Sequence, residues 1–398
     1  MTTTATTPVR YQRGWRKIVY RGLAVGLSVG IACGIAEAAL RIAGYGRSYV
    51  CPFGAFHQAD PILGWRGKPN FTGRWRQGDF DVCIAQNEDG FRKLEYRKEP
   101  SQAESTVYVL GDSFVWGYGT AQGKNFTDRL NLLLPKRQVE NFGLAGSGTV
   151  QQHMVFKTYV RPRLRRGDTV LIAFFGNDFY DNVGRILEGA LHAEVQGGEI
   201  HVVWPDGSNT QGELINKLKD WSCLINLVAY CADRYHNRRV CERMTGRPQT
   251  PAAGAPTPQD VADDRPEVLV TRHYLAKFKK ACDEQEARLV VAYVPGQAEL
   301  GEDDCSVTED LTPPEQATYR KAFFHCADAL GIETVDLLPR LLAAKKARRF
   351  ERVTFCHDFH WNENGHAVAA ETIAACLLQR DRADCPQTAR RTGVSGVK

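Results

Sequence analysis

Several patterns that mark common functional classes are missing from this chain of 398 residues. None of its 12 cysteines forms a CxxC pair, which argues against a zinc ribbon and against a thioredoxin-type redox site. The glycine-rich segment Gly143–Gly148 reads GxxGxG instead of GxGxxG, so it lacks the spacing of a dinucleotide-binding loop. No internal repeat is present either, which excludes a repetitive protein.

An excess of basic residues is also absent from the body of the chain. The formal net charge is +5, but residues 1–21 carry five Lys/Arg and no acid, and residues 379–398 carry five Lys/Arg against two Asp. Between these ends, 41 basic residues stand against 44 acidic ones. A nucleic-acid-binding protein needs a basic body, so nucleic acid is not an expected partner. The composition, 43% hydrophobic and 24% charged, is that of an ordinary folded chain.

A long apolar run occurs near the N-terminus. Arg10–Arg21 contains five basic residues, and the uncharged run Gly22–Ala36 follows them. With Ile18–Tyr20 and Ala38–Leu40 as extensions, this run approaches the ~20 residues of a membrane-spanning helix. Because the positive residues precede the run, the N-terminus is expected in the cytoplasm and everything after about residue 45 outside it. This predicts a single-pass cell-membrane protein with its main domain exported.

Two other interpretations fit the same run. Ala36-Glu37-Ala38 has the small-x-small form of a cleavage site, so a cleaved signal peptide and a secreted protein are possible. The third interpretation is a core helix of a soluble protein. If the chain has a membrane span or a cleaved signal peptide, its main domain is exported to an oxidising compartment, and the scattered cysteines are then expected to form a few disulfides. Buried thiols that pack as small hydrophobic groups are the alternative.

Beyond residue 105, β-rich runs alternate with helical stretches, which predicts a doubly wound α/β domain with a parallel sheet. An unbroken apolar strand such as Val170–Phe175 suits a sheet that is covered on both faces. The predicted strands are Thr106–Leu110, Gln138–Phe142, Thr169–Phe175, Leu289–Val294 and Glu333–Leu337. The predicted helices are Asn125–Leu134, Thr149–Val160, Val268–Glu286, Pro313–Ala329 and Asn364–Leu378.

The chain is predicted to divide into four parts. The largest, residues 105–380, is the α/β domain, with an insertion at 178–266 that ends in a Pro/Ala-rich surface loop from Gly246 to Pro266. The other three parts are a basic tail with the anchor helix (1–45), a lead segment of β-hairpins packed on the main domain (46–104) and a flexible tail (381–398).

Unusual polar residues and glycines follow the predicted strands. Ser113 comes directly after the first strand, Gly146 after the second and Asn177 after the third. Asp358 and His360 lie after the fifth strand and before the last helix. In an open parallel sheet, ligands bind beyond the carboxyl ends of the strands. We therefore expect these residues at one edge of the sheet.

Each of these residue types has a chemical use at such an edge. A serine hydroxyl becomes a nucleophile when an imidazole accepts its proton, and a carboxylate orients that imidazole. The backbone N–H groups of Ser113 and Gly146 and the side-chain amide of Asn177 supply donors for an oxyanion. The pattern predicts catalysis by Ser113, His360 and Asp358 without cofactor.

The order of these motifs resembles the SGNH (GDSL-type) hydrolase superfamily. Gly111-Asp112-Ser113-Phe114 matches its first block, Gly146 the second, Asn177 the third, and Asp358 with His360 the last. The resemblance implies a flavodoxin-like three-layer sandwich with a five-stranded parallel sheet, and the catalytic and oxyanion-hole roles given above. The lead segment is similar to those of membrane-anchored bacterial members, through Asp60–Trp65 and Asn87–Arg92.

The last block departs from the commoner pattern. Many members place the acid three residues before the base, where this chain has His357, whereas Asp358 lies only two residues before His360. An Asp-x-His spacing followed by Trp also occurs in the superfamily, including polysaccharide O-acetyltransferase relatives. Asp358 is kept as the predicted acid. No metal is expected at His357, Asp358, His360 and His366, because two of them already face Ser113.

Three functions are compatible with this set of residues. The first is an exported esterase that cleaves an O-acyl group from a carbohydrate or a lipid through an acyl-enzyme, and the second is an O-acyltransferase in which a sugar hydroxyl replaces water. The third is a non-catalytic carbohydrate-binding protein, which would not need the whole Ser/Gly/Asn/His set. Trp116, Tyr118 and Trp361 adjoin the predicted catalytic residues and are candidates for stacking on sugar rings, although aromatic residues there are equally suited to the core.

Overall fold

The computed structural model describes most of the chain, namely residues 11–43, 56–77, 79–184, 190–205, 218, 221–229, 231–232, 264–302, 313–347, 349–356 and 358–383. Most of the predicted loop Gly246–Pro266 lies outside these residues, as does His357. The long helix α1 (Tyr11–Ile42) comes first. Within it, Trp15–Ile42 has a mean hydropathy of 1.9 and is not buried by the rest of the protein, so it is a candidate membrane span.

The lead segment, predicted to form β-hairpins, contains two antiparallel pairs. Strand β1 (His57–Asp60) pairs with β2 (Gly64–Gly67), and β3 (Thr72–Gln77) pairs with β4 (Phe80–Ala85). A small core of mostly aromatic residues joins these hairpins to the main domain, and its members are Phe56, Trp75, Phe80, Ile84, Trp116, Ala145 and Phe355.

A five-stranded parallel sheet forms the centre of the main domain. Its spatial order is β6-β5-β7-β10-β11. Taken along the chain this is the 2-1-3-4-5 order of flavodoxin-like sheets, whose topological switch point lies between the first and third strands. The predicted fold class is confirmed. The strands are β5 (Ser105–Gly111), β6 (Arg137–Gly143), β7 (Thr169–Phe175), β10 (Arg288–Val294) and β11 (Glu333–Asp336), with the hairpin β8 (His192–Gln196) and β9 (Glu199–Val203) in the insertion.

Helices cover both faces of this sheet. They are α2 (Ser113–Trp116), α3 (Phe126–Leu133), α4 (Thr149–Val155), α5 (Asp178–Asp181), α6 (Pro266–Glu284), α7 (Pro313–Ala329), α8 (Leu338–Lys346) and α9 (Glu363–Ala383). Alternate side chains of β7 point to opposite faces: Ile172 and Phe174 pack with α4, α6 and α7, whereas Leu171 and Phe175 pack with α3, α8 and α9. This two-sided burial accounts for the unbroken apolar sequence of β7.

Three differences from the sequence prediction concern helices. The predicted helix Thr149–Val160 is α-helical only to Val155 and continues as a π-helical turn. Helix α8 was not predicted at all. Helix α9 runs to Ala383, three residues into the segment predicted as a flexible tail, and the remainder of that segment lies outside the described residues.

Several cysteines of the described residues carry free thiols, among them the buried Cys223 and Cys282. The disulfides expected from an exported chain therefore do not involve these two residues. Burial raises the pKa of the Cys282 thiol to about 12, which keeps it protonated and unreactive. Cys223 and Cys282 are thus buried thiols that pack as small hydrophobic groups, which was the second possibility for the cysteines.

Candidate active site

Ser113 stands on a tight turn between β5 and the one-turn helix α2. A Cβ at Gly111 would lie 2.4 Å from a methyl carbon of Val115 and 2.8 Å from the carbonyl oxygen of Ala173, so only glycine fits where the strand ends. The Asp112 carboxylate accepts a hydrogen bond from the Phe114 N–H at 2.9 Å and caps the helix. This turn fixes the Ser113 backbone at the carboxyl end of the sheet.

His360 lies between Ser113 and Asp358. Its Nε2 is 2.6 Å from the Ser113 Oγ, and its Nδ1 is 2.5 Å from the Asp358 carboxylate. The same carboxylate oxygen accepts the His360 backbone N–H at 2.9 Å, which holds the two residues together in spite of their short spacing. The three residues predicted from the sequence form one hydrogen-bonded chain, with His360 5% and Ser113 9% exposed.

Gly146 and Asn177 follow the two strands that flank β5. The Trp65 indole N–H donates to the Ala145 carbonyl at 3.0 Å, so β2 of the lead segment supports the turn that carries Gly146. Gly146 has φ +76°, a conformation that favours glycine. Asn177 begins the turn after β7 and is 9% exposed. All the predicted site residues are therefore at the carboxyl edge of the sheet, around its switch point.

Two of the three aromatic residues predicted to stack on sugars belong to the core instead. Trp116 and Trp361 are each 1% exposed, Trp116 against Phe56 and Trp361 against Phe114. A ring without exposed surface cannot receive a sugar, so the prediction for these two residues is corrected. These two residues fill the core, which was the other role expected for aromatic residues at this place.

Tyr118 is placed differently, because it is only partly buried and contacts the imidazole. Its ring lies nearly parallel to that of His360, with 4.0 Å between the ring centroids and 13° between the planes. Tyr118 also makes edge-on contacts with Trp75 of strand β3 and Phe80 of strand β4, at 4.5 and 6.0 Å between ring centroids. The lead segment thus supports the residue that packs on the imidazole, and the role of Tyr118 in binding a sugar stays a prediction.

Gln297 braces the loop that carries Asp358 and His360, and it was not among the residues predicted from the sequence. It is 2% exposed, and its side-chain amide donates to the carbonyls of Asp358 and Phe355 at 3.0 and 3.2 Å and to the Thr354 hydroxyl at 3.1 Å. Gln297 follows β10 at the same edge of the sheet as Ser113. Applying the strand-end rule to β10 as well would have drawn attention to it.

His366 serves the structure of the domain. It is 1% exposed, its Nδ1 accepts the Phe126 N–H at the start of α3, and its ring stacks on the Phe126 ring. Burial lowers the pKa of His366 to about 3, so the imidazole is neutral and able to accept. No group of three or more His, Cys, Asp or Glu among the described residues is arranged to hold a metal ion.

Two buried carboxyl groups lie beneath the site. Asp112 and Asp178 are both fully buried, so neither touches a substrate. Burial raises the pKa of Asp112 to about 6, against the opposing effects of the Phe114 N–H and of His360. The pKa of Asp178 is raised well above its usual range by burial and by the nearby carboxyl groups of Asp112 and Asp181, although the Gln152 amide donates to it. These carboxyl groups support the loops of Ser113 and Asn177.

We expect Asp112→Asn to change the pH dependence of stability. The folded protein binds the Asp112 proton more tightly than the unfolded chain, so stability is lost as pH rises from the unfolded pKa near 4 through the folded value of about 6. Asparagine keeps an acceptor for the Phe114 N–H and does not ionise. Relative to the wild type, the variant should gain on the order of 2–3 kcal/mol between pH 4 and pH 8, measured by denaturant unfolding. A stability difference that stays constant with pH would contradict the assignment.

Comparison with known proteins finds a family match in the second half of the chain. Residues 257–397, about a third of the chain, match the SGNH hydrolase-like domain of the acetyltransferase AlgX. The matched residues include Asp358 and His360 but not Ser113, Gly146 or Asn177. The chain matches none of the curated protein sequences.

Solved structures with similar folds have low sequence identity to this chain. A lipolytic protein of the G-D-S-L family from Veillonella parvula is 10% identical, with a TM-score of 0.38, and the match covers 69% of this chain and 99% of the other. A putative arylesterase from Agrobacterium tumefaciens is 13% identical, with the same TM-score and coverage. The acetylxylan esterase Axe2 from Geobacillus stearothermophilus is 11% identical, with a TM-score of 0.35, over 69% and 94% of the two chains.

Three independent observations therefore agree. The sheet has the flavodoxin-like strand order, the sequence blocks occur in the SGNH order at the ends of successive strands, and the family model matches the part of the chain with the last block. Over residues 257–397 this chain is therefore similar to the SGNH hydrolase-like domain of AlgX, and its α/β domain has the flavodoxin-like strand order.

Proposed function

We propose that the protein is an exported, membrane-anchored serine enzyme that transfers an acyl group from an ester substrate through a covalent acyl-enzyme. The observation that carries the proposal is the position of the His360 imidazole, 2.6 Å from the Ser113 hydroxyl and 2.5 Å from the Asp358 carboxylate. Such a chain of groups is what a serine needs in order to attack a carbonyl carbon.

Each residue of the site has a step in this mechanism. Ser113 Oγ attacks the carbonyl carbon of the ester while His360 Nε2 accepts its proton, and Asp358 stabilises the resulting imidazolium. The N–H groups of Ser113 and Gly146 and the amide of Asn177 donate to the oxyanion. The tetrahedral intermediate collapses, His360 returns the proton to the leaving alcohol, and the acyl group stays on Ser113.

The second half of the reaction decides between two activities. Water activated by His360 releases the acid, which makes the protein an esterase. A sugar hydroxyl activated in the same way carries the acyl group away, which makes it an O-acyltransferase acting on a cell-surface polysaccharide. The match of residues 257–397 to an acetyltransferase family favours this second candidate. Both activities need the whole set of Ser113, His360, Asp358 and the oxyanion donors. A non-catalytic carbohydrate-binding protein would not need this set, so it is the least favoured of the three functions.

One experiment distinguishes these activities. The full-length protein in detergent is given an acetyl ester, with and without an oligosaccharide, and free acetate and acetylated sugar are measured. An esterase releases acetate at a rate that the oligosaccharide does not change, whereas a transferase yields acetylated sugar at the expense of acetate. If a folded preparation forms neither product with several acyl donors of different chain length, the proposed enzymatic function is contradicted.

We expect the main domain outside the cytoplasm, held by α1. The basic residues before the apolar run favour a cytoplasmic N-terminus. A reporter that works only after export, fused after residue 398, should be active, and one that works only in the cytoplasm should be silent. A cytoplasmic signal would contradict the orientation.

Carbonate washing tests the anchor itself. An uncleaved span of this hydropathy should keep the protein in the membrane pellet, because insertion of a transmembrane helix is effectively irreversible. A soluble species that begins near Ala39 would instead establish a cleaved signal peptide. The match to an SGNH hydrolase-like domain is compatible with either outcome.

A further inference from the structure

The insertion contains a second apolar segment, residues 221–232, that the proposed function leaves unexplained. These 12 residues carry no charge, and residues 223–229 and 231–232 are helical. At ~1.5 Å per residue the helix 223–229 is about 10 Å long, too short for the ~30 Å hydrocarbon core of a bilayer. A run of this length suits either a core helix or a helix at a membrane surface.

The exposure of its side chains excludes the core. Trp221 is 71% exposed, Val228 59% and Ile225 36%. Ile225 and Val228 are three residues apart on the helix 223–229, so they share one side of it, and Trp221 lies directly before Ser222, where this helix starts. Ser222 and Cys223 are 7% and 5% exposed, on the side that faces the protein. The segment therefore presents an apolar face that the described part of the chain does not cover.

The anchor helix α1 holds this segment in place. The Glu37 carboxylate accepts the backbone N–H groups of Cys223 and Leu224 at 3.0 and 2.9 Å and the Ser222 hydroxyl at 2.9 Å. Arg41, which donates to Glu37 at 2.6 Å, also donates to the Trp221 carbonyl at 2.8 Å. A carboxylate in this position satisfies the unpaired N–H groups at the start of a helix and interacts favourably with its dipole.

The position of Glu37 along α1 sets the depth of the segment. Glu37 and Arg41 are the first charged residues after the run Gly22–Ala36, so they lie where the helix leaves the hydrocarbon core. Residues bonded to them lie at the same level. Trp side chains are enriched at this boundary, where an apolar ring meets polar headgroups. Helices with one apolar face lie along it.

We propose that residues 221–229, with the interfacial helix 223–229, lie in the outer surface of the phospholipid bilayer as a second membrane contact of the protein. The inference rests on the anchoring stated under the proposed function. The same contacts bear on whether α1 is cleaved. Removal of residues 1–38 would remove Glu37, which accepts the Cys223 and Leu224 N–H groups, so these contacts favour a retained anchor. The insertion that begins directly after Asn177 would thereby be fixed to the membrane.

Photocrosslinking tests the proposal in the full-length protein. The variants Val228→p-benzoylphenylalanine and Trp221→p-benzoylphenylalanine are reconstituted in vesicles of phosphatidylethanolamine and phosphatidylglycerol and irradiated. Both positions are exposed, so neither variant should disturb folding. The matched control is Leu342→p-benzoylphenylalanine, a 40% exposed leucine on helix α8 of the main domain. Mass spectrometry of the digested protein identifies the partner of each crosslink.

The expected result is a mass increase of one phospholipid at positions 228 and 221, at least several-fold more abundant than at position 342. Crosslinks to a second copy of the chain, or equal lipid labelling at all three positions, would overturn the proposal. Absence of a lipid adduct at 228 and 221 would overturn it as well. Carbonate washing of the same vesicles separates this outcome from failure of the anchor, because a protein that stays in the pellet without lipid adducts contradicts only the interfacial helix.

Discussion

Ser113→Ala should abolish turnover and leave the fold intact. In the proposed mechanism the hydroxyl is the one group of the hydrogen-bonded chain that bonds to the acyl carbon, so without it His360 and Asp358 have nothing to activate. Loss of a triad nucleophile costs on the order of 10⁴–10⁶ in kcat. The measurement is the rate of acetate release or acetyl transfer at saturating ester, with circular dichroism and thermal unfolding to establish that the variant is folded.

Ser147→Ala is the matched control for this experiment. Ser147 is also buried near the end of β5, and its hydroxyl lies 3.5 Å from the Gly111 carbonyl. The same atom is removed in the same neighbourhood. Activity close to that of the wild type is expected for this variant. A folded Ser113→Ala protein that keeps activity within tenfold of the wild type would exclude the acyl-enzyme mechanism.

The sheet was predictable because its sequence signals are local and strong. β7 is apolar from Val170 to Phe175, since helices cover both of its faces, and its predicted limits agree with the structure. Strands β5 and β6 are one residue longer than predicted at each end, and β10 is one residue longer at its start. Strand β11 ends at Asp336, one residue before the predicted Leu337. Since the strands are parallel, their carboxyl ends lie at one edge of the sheet. The sequence alone was therefore enough to place four residues together at that edge, namely Ser113, Gly146, Asn177 and His360.

The features that were not predicted depend on contacts between distant parts of the chain. Whether Trp116 packs inward or faces a substrate is decided by Phe56 and Trp75, which approach it from the lead segment. The role of Gln297 exists only because the loop of Asp358 lies against the end of β10. Helix α8 has a proline in its first turn, but its N-cap residue is Leu337 and not a Ser, Thr, Asp or Asn, so its start signal was too weak to be recognised.

Helix α1, the candidate membrane span, illustrates the same limit. Charge and hydropathy predict a membrane span or a signal peptide but do not distinguish them. The contact of Glu37 with Cys223 and Leu224, residues 186 and 187 positions away, is the observation that favours retention. No local pattern in the sequence indicates such a pair.

Asp358→Asn should lower kcat by on the order of 10²–10⁴ with little change in KM. The carboxylate accepts from both the ring and the backbone N–H of His360. An asparagine side chain keeps the size of the group but removes the charge that stabilises the imidazolium, and its amide can present an N–H to the ring nitrogen and favour the wrong tautomer. Steady-state kinetics on the same ester, compared with the wild type, measures the effect.

His357→Ala is the decisive comparison, because His357 occupies the position where many superfamily members carry the acid. The structure does not describe His357, whereas it places the Asp358 carboxylate on the imidazole. His357→Ala should therefore change kcat far less than Asp358→Asn. The opposite ranking, with both variants folded, would mean that the loop orients His360 through residue 357. Equal and small effects would show that Gln297 and Tyr118, which hold the loop and the ring from the other sides, orient the imidazole without an acid.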